Sequence, residues 1–126
     1  MNEGTVDDMD EGRPIFVQIA EAIEHEIVDG AMPEGSQVPS INELAAFHRI
    51  NPATALKGIN LLVDQGVLVK RRGVGMFVTE GARDRVLAER RGGFAAQHIK
   101  PVAEEATRLG FTAPEVQEMI RKEMQS

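Results

Sequence analysis

Cysteine is absent from the 126 residues, and so are tryptophan and tyrosine. Without cysteine no disulfide framework and no thiolate metal site can form, which suits a reducing cytosol. Aromatic residues make up only 4% of a chain that is 42% hydrophobic. Any core must therefore be aliphatic, built on Leu, Ile, Val and Ala. No run approaches the roughly 18 apolar residues of a membrane span, and no signal peptide is recognised. The expectation is a cytoplasmic protein without a membrane partner. Catalytic patterns are missing as well. His25, His48 and His98 share no ligand spacing, and no Ser/His/Asp set, paired-acid motif or phosphate loop stands out. Gly73-Val74-Gly75 does not precede a helix start, so it is no nucleotide fingerprint. Neither an enzyme, a metal site nor a cofactor is expected.

Positive charge is also scarce. Lys and Arg number 14 against 20 Asp and Glu, a net charge of −6. Its distribution is uneven. Residues 1–13 carry Glu3, Asp7, Asp8, Asp10 and Glu11 against Arg13. Residues 14–39 hold five acids and no Lys or Arg. Residues 40–79 reverse the sign, with Arg49, Lys57, Lys70, Arg71 and Arg72 against Glu43 and Asp64, a balance of +3. Residues 80–126 are balanced at eight and eight. A single basic segment in an acidic chain marks where a polyanion would be met.

That segment has a readable plan. Ser40 with Glu43 three residues on makes a capping box at the head of a short helix. Leu44, Ala45 and Phe47 supply its apolar side, and the pattern breaks at His48-Arg49. Asn51 caps a second helix and Pro52 occupies its first turn, where the missing N–H costs nothing. Ala55, Ile59 and Leu62 follow at helical spacing and should face a core. Gly66 can end that helix. Val67 to Val69 and Met76 to Thr79 read as strands, with Lys70 to Gly75 as the turn between them. Helix, turn, helix and basic hairpin make a winged helix-turn-helix, in which the second helix can enter a DNA major groove.

The flanks fit around this unit. Residues 1–13 are expected to be an acidic mobile tail. A helix from Pro14 to about Asp29 buries Ile15, Ile19, Ile23 and Ile27, with Phe16 and Ala20 beside them. Gly30 closes it, and a Pro- and Gly-containing loop leads to Ser40. A boundary falls at Glu80-Gly81. A long helix then runs from about Ala82 to Leu109, with a bend or break expected near Gly92-Gly93 or Pro101. Thr112 caps a last helix carrying Val116, Met119, Ile120 and Met124. Two helices cannot bury both apolar stripes against each other, so a partner surface is expected, most simply a second copy. The fold class is thus α+β and mostly helical: a tail over 1–13, a winged helix-turn-helix over 14–79 and a helical dimerisation segment over 80–126. The dimer candidates are Val86, Leu87, Phe94, Val102, Leu109, Val116, Met119 and Ile120.

The chain resembles the GntR family of bacterial transcription regulators. The resemblance lies in the Gly30 turn, Pro39-Ser40, Glu43-Leu44-Ala45, Asn51-Pro52-Ala53-Thr54, Gly66-Val67-Leu68 and Gly73 to Val78. The Asn-Pro-x-Thr start and the short tail are similar to the YtrA-type subfamily, and the likeness covers about residues 14 to 125. It implies a dimeric, sequence-specific regulator, a repressor rather than an activator. It further implies that the C-terminal helices form a dimerisation module in place of a larger effector domain. Such regulators often control a neighbouring transporter operon.

Carried over residue by residue, the resemblance places Asn51, Ala53, Thr54 and Lys57 in the major groove of double-stranded DNA. Ser40 and Asn42 begin the first helix of the pair, where Asn42 could bond a phosphate or a base edge, and Arg49 in the turn could touch the backbone. Lys70, Arg71, Arg72 and Gly73 form the wing, whose glycine lets the backbone approach the minor groove. The chain departs from a common pattern of the family at Asn42 and Leu56, where many relatives carry a DNA-contacting Arg. Two heads would meet a pseudo-palindrome with half-sites about 34–36 Å apart or a multiple of that. A small-molecule effector would act by changing the relative placement of the heads. Two rivals stand beside this reading. One is a winged helix serving as a protein-interaction module, supported by the acidic first helix and the missing Arg residues. The other is a small-ligand sensor with a cleft at the C-terminal helices.

Overall fold

The computed structural model describes residues 13–126; the expected mobile tail lies, apart from Arg13, outside the described residues. The elements run α1 (Ile15–Asp29), α2 (Ile41–His48), α3 (Pro52–Asp64), β1 (Leu68–Arg71), β2 (Gly75–Val78), α4 (Ala82–Phe94), a π-helical turn (Ala95–Ile99), α5 (Lys100–Leu109) and α6 (Ala113–Gln125). The chain divides into two compact units, one ending at Leu87 and the other spanning Ala88–Ser126.

In the first unit the four-residue isoleucine spacing of α1 works as expected. Ile19, Ile23 and Ile27 are buried, while Ile15 packs half-buried at the core's margin. Gly30 ends the helix at φ 89°, in the left-handed region that a side chain resists, and its N–H bonds to the Ile27 carbonyl. Ala55, Ile59 and Leu62 of α3 meet this stripe, joined by Leu44 and Ala45 of α2. The contact between α1 and α3 is close because Gly58 lacks a side chain. A Cβ there would lie 2.9 Å from the Phe16 carbonyl oxygen.

Strands β1 and β2 pair antiparallel, with Leu68 opposite Val78 and Arg71 opposite Gly75. Residues 35–38 lie along the other edge of β2. Gly35 N–H bonds to Val78 O at 2.8 Å, Val78 N–H to Ser36 O at 3.0 Å, and Val38 N–H to Met76 O at 2.8 Å. The strands are set nearer the tip, and the turn is tighter, than the sequence pattern predicts. Lys70 and Arg71 belong to a strand, because the ladder closes at the Arg71–Gly75 pair.

Two side-chain assignments are corrected here. Phe47, expected on the buried side of α2, is 78% exposed. Val86, expected at a dimer surface, is 1% exposed and belongs to the core of the first unit together with Ala82. A side chain already out of water has no surface left to give a partner. For the same reason the division falls after Leu87 and not at Glu80-Gly81. The start of α4 is tied down by polar contacts as well. The Glu34 carboxylate accepts from Gly81 N–H at 2.9 Å, Arg83 Nε donates to Val28 O at 2.9 Å, and Arg85 Nη1 donates to Gly66 O at 3.0 Å.

The second unit is helical throughout. Gly92-Gly93 do not break α4. The expected irregularity is instead a π turn over Ala95–Ile99, with Lys100 N–H bonding five residues back to Ala95 O. Pro101 accounts for it: the ring lacks a donor and crowds the carbonyl four residues earlier, and a wider turn absorbs both defects without ending the helix. Gly110, at φ 83°, ends α5. Thr112 and Glu115 form a capping box at the head of α6. A hydrogen bond from Arg121 holds the Glu118 carboxyl below the usual carboxylate range. None of the residues from the π turn to the end of α6 is buried.

Candidate nucleic-acid interface

The site is built from the start of α3 outward. Asn51 Oδ1 accepts Ala53 N–H at 2.7 Å, so the oxygen of this side chain is spent on the cap. Its Nδ2 group makes no hydrogen bond among the described residues and remains free to donate. Pro52 needs no partner at the first helical position. Ala55, Gly58, Ile59 and Leu62 turn inward. The opposite side carries Ala53, Leu56, Lys57 and Asn60, all exposed. Thr54 is half-buried and sits at the edge of that face. The Lys57 ammonium lies 4.9 Å from the centre of the Phe16 ring, which holds its stem against α1 and leaves the charge accessible. Asn60 was missed by the sequence reading. It lies one turn beyond Leu56 and Lys57, and the same periodicity that gave the core would have found it.

Ser40 is occupied as a cap: its Oγ accepts Glu43 N–H at 3.1 Å, and its own N–H donates to Glu43 Oε1 at 2.8 Å. Asn42, next to it on the first turn of α2, is exposed. Arg49 holds a left-handed conformation at the end of α2, φ 57° and ψ 49°. Among the described residues it is the only non-glycine with positive φ.

The wing tip is a four-residue turn. Val74 N–H bonds to Arg71 O at 2.9 Å, and Gly73 at φ 75° supplies the left-handed third position of a type II turn. Arg72 and Gly73 are therefore brought together at the tip, both exposed. The basic triplet does not act as one patch. Successive strand residues point to opposite faces, so Lys70 and Arg71 diverge, and the Arg71 guanidinium stacks 4.6 Å from the Phe77 ring centre. Gln37 positions the tip, its Nε2 donating to Val74 O at 2.9 Å. Nothing in its local sequence flagged it, since its partner lies 37 residues away. No group of three or more His, Cys, Asp or Glu suited to a metal ion occurs among the described residues.

Residues 16–78, half of the chain, match the pattern of the bacterial regulatory proteins of the gntR family. The chain belongs to the GntR family. Its likeness to individual GntR proteins extends past the head. It is 28% identical to the HTH-type transcriptional repressor YtrA of Bacillus subtilis over 109 residues, covering 86% of this chain and 83% of YtrA. It is equally identical to the HTH-type transcriptional regulator YhcF of the same organism, covering 86% of this chain and 88% of YhcF. The solved structure of a GntR family transcriptional regulator from Listeria monocytogenes superposes with a TM-score of 0.72 at 26% identity, covering 90% of this chain and 98% of the other. GntR-family proteins are DNA-binding transcription regulators, and the exposed face of α3 beside a glycine-tipped wing is the winged helix-turn-helix of that family. The tail of short helices goes with the YtrA-type members. No helix among the described residues is long and apolar enough to cross a membrane.

Proposed function

We propose that this GntR-family protein is a homodimeric repressor that binds a pseudo-palindromic operator near its own gene. The observation that carries the reading is the placement of charge on the head. Every Lys and Arg between residues 14 and 79 lies on α3, on the turn before it or on the wing, and all five are exposed. In an acidic protein that segregation serves a polyanion. In this reading the free Nδ2 of Asn51, together with Ala53, Thr54, Lys57 and Asn60, faces the major groove. Ser40, Asn42 and Arg49 lie along the backbone. Arg72 and Gly73 enter the minor groove, while Lys70 and Arg71 approach phosphates from the two sides of the wing. The name of its relative YtrA supports repression, which occupancy of a promoter would achieve.

Binding to fragments of the protein's own promoter region tests this. Wild-type protein should bind one fragment selectively, and affinity should fall steeply as salt is raised. Arg72→Ala, which removes one contact from each of the two heads, should weaken binding at least tenfold and lower the salt slope by about two. No duplex affinity worth titrating at either low or high salt concentration would favour the protein-interaction module instead.

A further inference from the structure

A groove of about 880 Å³ opens on the side of the head, between α2 and the wing tip. Its floor is apolar, with Met32 and Met76 among the lining residues. Its rims are unusual. Phe47, the aromatic side chain that the sequence pattern assigned to the core, stands 78% exposed on one side. Val74 of the wing tip stands 61% exposed on the other. Glu26 and Glu43 line the groove, the latter already accepting the Ser40 N–H; His48 lines it too, its ring edge-on to Phe47, and no Lys or Arg does, although the basic wing begins a few residues away. An aromatic ring, two thioethers and two carboxylates around a cavity of ligand size form the setting that a lipophilic cation prefers.

We propose that this groove is the effector site of the protein, and that its ligand is a small amphipathic cation. The proposal rests on the reading of the chain as a ligand-responsive regulator and moves the sensor from the C-terminal helices into the DNA-binding head. The helices from the π turn to α6 contain no buried residue, and so offer no enclosed cavity of their own. The head does offer a route from ligand to DNA. One wall of the groove is the wing tip itself, hung on the segment that leads into α2. Gln37 Nε2 donates to Val74 O at 2.9 Å, and Val38 N–H bonds to Met76 O at 2.8 Å. A ligand seated between Phe47 and Val74 therefore bears on the spacing of wing tip and α2, and through it on how wing and α3 fit one duplex. Only the difference in affinity for the two spacings can move DNA binding.

Tetraphenylphosphonium and tetraphenylborate, nearly equal in shape and opposite in charge, are the probes, titrated calorimetrically into the full chain without DNA. The phosphonium should bind at least tenfold more tightly than the borate. Phe47→Ser should weaken it at least tenfold, and Glu26→Gln about threefold, with circular dichroism unchanged since both side chains are exposed. Equal affinity for the two probes would overturn the charge assignment. Phosphonium binding that survives Phe47→Ser would place the site elsewhere and overturn the proposal. A change of sedimentation mass in Phe47→Ser would make the groove an interface between copies and overturn it as well. Saturating phosphonium should then shift operator affinity at least fivefold in wild type and leave Phe47→Ser unmoved; no shift in wild type would overturn the coupling. Because the first titration contains no DNA, failure of the groove and failure of the regulator reading give different results.

Discussion

At the scale of single residues, the strained position is Arg49. Its left-handed conformation ends α2 and lets Ile50 N–H reach Ala45 O at 2.9 Å, a helix stop that glycine makes without strain. An L side chain with a Cβ in that region costs about 1–2 kcal/mol. Arg49→Gly should therefore stabilise the head by about 1 kcal/mol, read as a higher urea midpoint at unchanged slope. If the guanidinium also meets a phosphate, the same variant should bind the operator less tightly while being more stable. A variant that loses stability would show that the Arg49 side chain holds the turn in some other way. Opposite signs in the two assays would mean that function keeps a charge where folding would choose glycine.

At the scale of elements, one substitution should act in opposite directions in two helices. Gly58 lies where α1 and α3 meet, and an added Cβ would stand 2.9 Å from the Phe16 carbonyl oxygen. Gly58→Ala must push backbone from backbone, and should cost about 1–3 kcal/mol despite the better helix propensity of alanine. Gly92 in α4 has nothing within 4 Å of such a Cβ, so Gly92→Ala should stabilise its helix by about 0.5–1 kcal/mol. Urea unfolding followed by circular dichroism reads both, and equal signs would contradict the packing described. The sequence alone could not separate these two glycines, since each sits in a helical pattern and only the neighbouring chain distinguishes them. What it did reveal is local chemistry. Ser40 with Glu43, Asn51 with Pro52, Thr112 with Glu115 and the isoleucine spacing of α1 each act within a few residues, so their signals are contiguous. Phe47 and Val86 depended on which neighbours arrive from elsewhere, and both were misread. The wing's basic triplet was visible as composition, but its splay was not, because strand register is set by the pairing of Arg71 with Gly75. Gln37 and Asn60 show the same limit at the candidate site: one acts through a partner distant in sequence, and the other through a face defined only once its opposite is buried.

At the scale of the whole molecule, the proposed dimer would give the second unit the core it lacks by itself. Phe94, Ile99, Val102, Leu109, Met119 and Ile120 are all large, apolar and exposed in a 39-residue unit, and Met124 is 83% exposed. Surface of this kind on two short helices is not stable as an isolated layer. A second copy is the economical partner, because a two-fold axis lets one stripe bury its twin. Replacing Met119 and Ile120 together with Glu puts two like charges into that stripe and, by symmetry, four into the interface. Wild-type protein should sediment at twice the 13.8 kDa chain mass, and the double variant at once. The consequence for DNA follows from charge. A head with a local balance of +3 offers few phosphate contacts, so one head alone should bind weakly, while tethering two makes the second contact intramolecular. The double variant should thus lose at least a hundredfold in operator affinity although every residue of α3 and the wing is intact, and its salt slope should fall to about half. A variant that stays dimeric would exclude this stripe as the interface. A monomer with undiminished operator affinity would instead show that one head suffices, and that the tail serves something other than DNA binding.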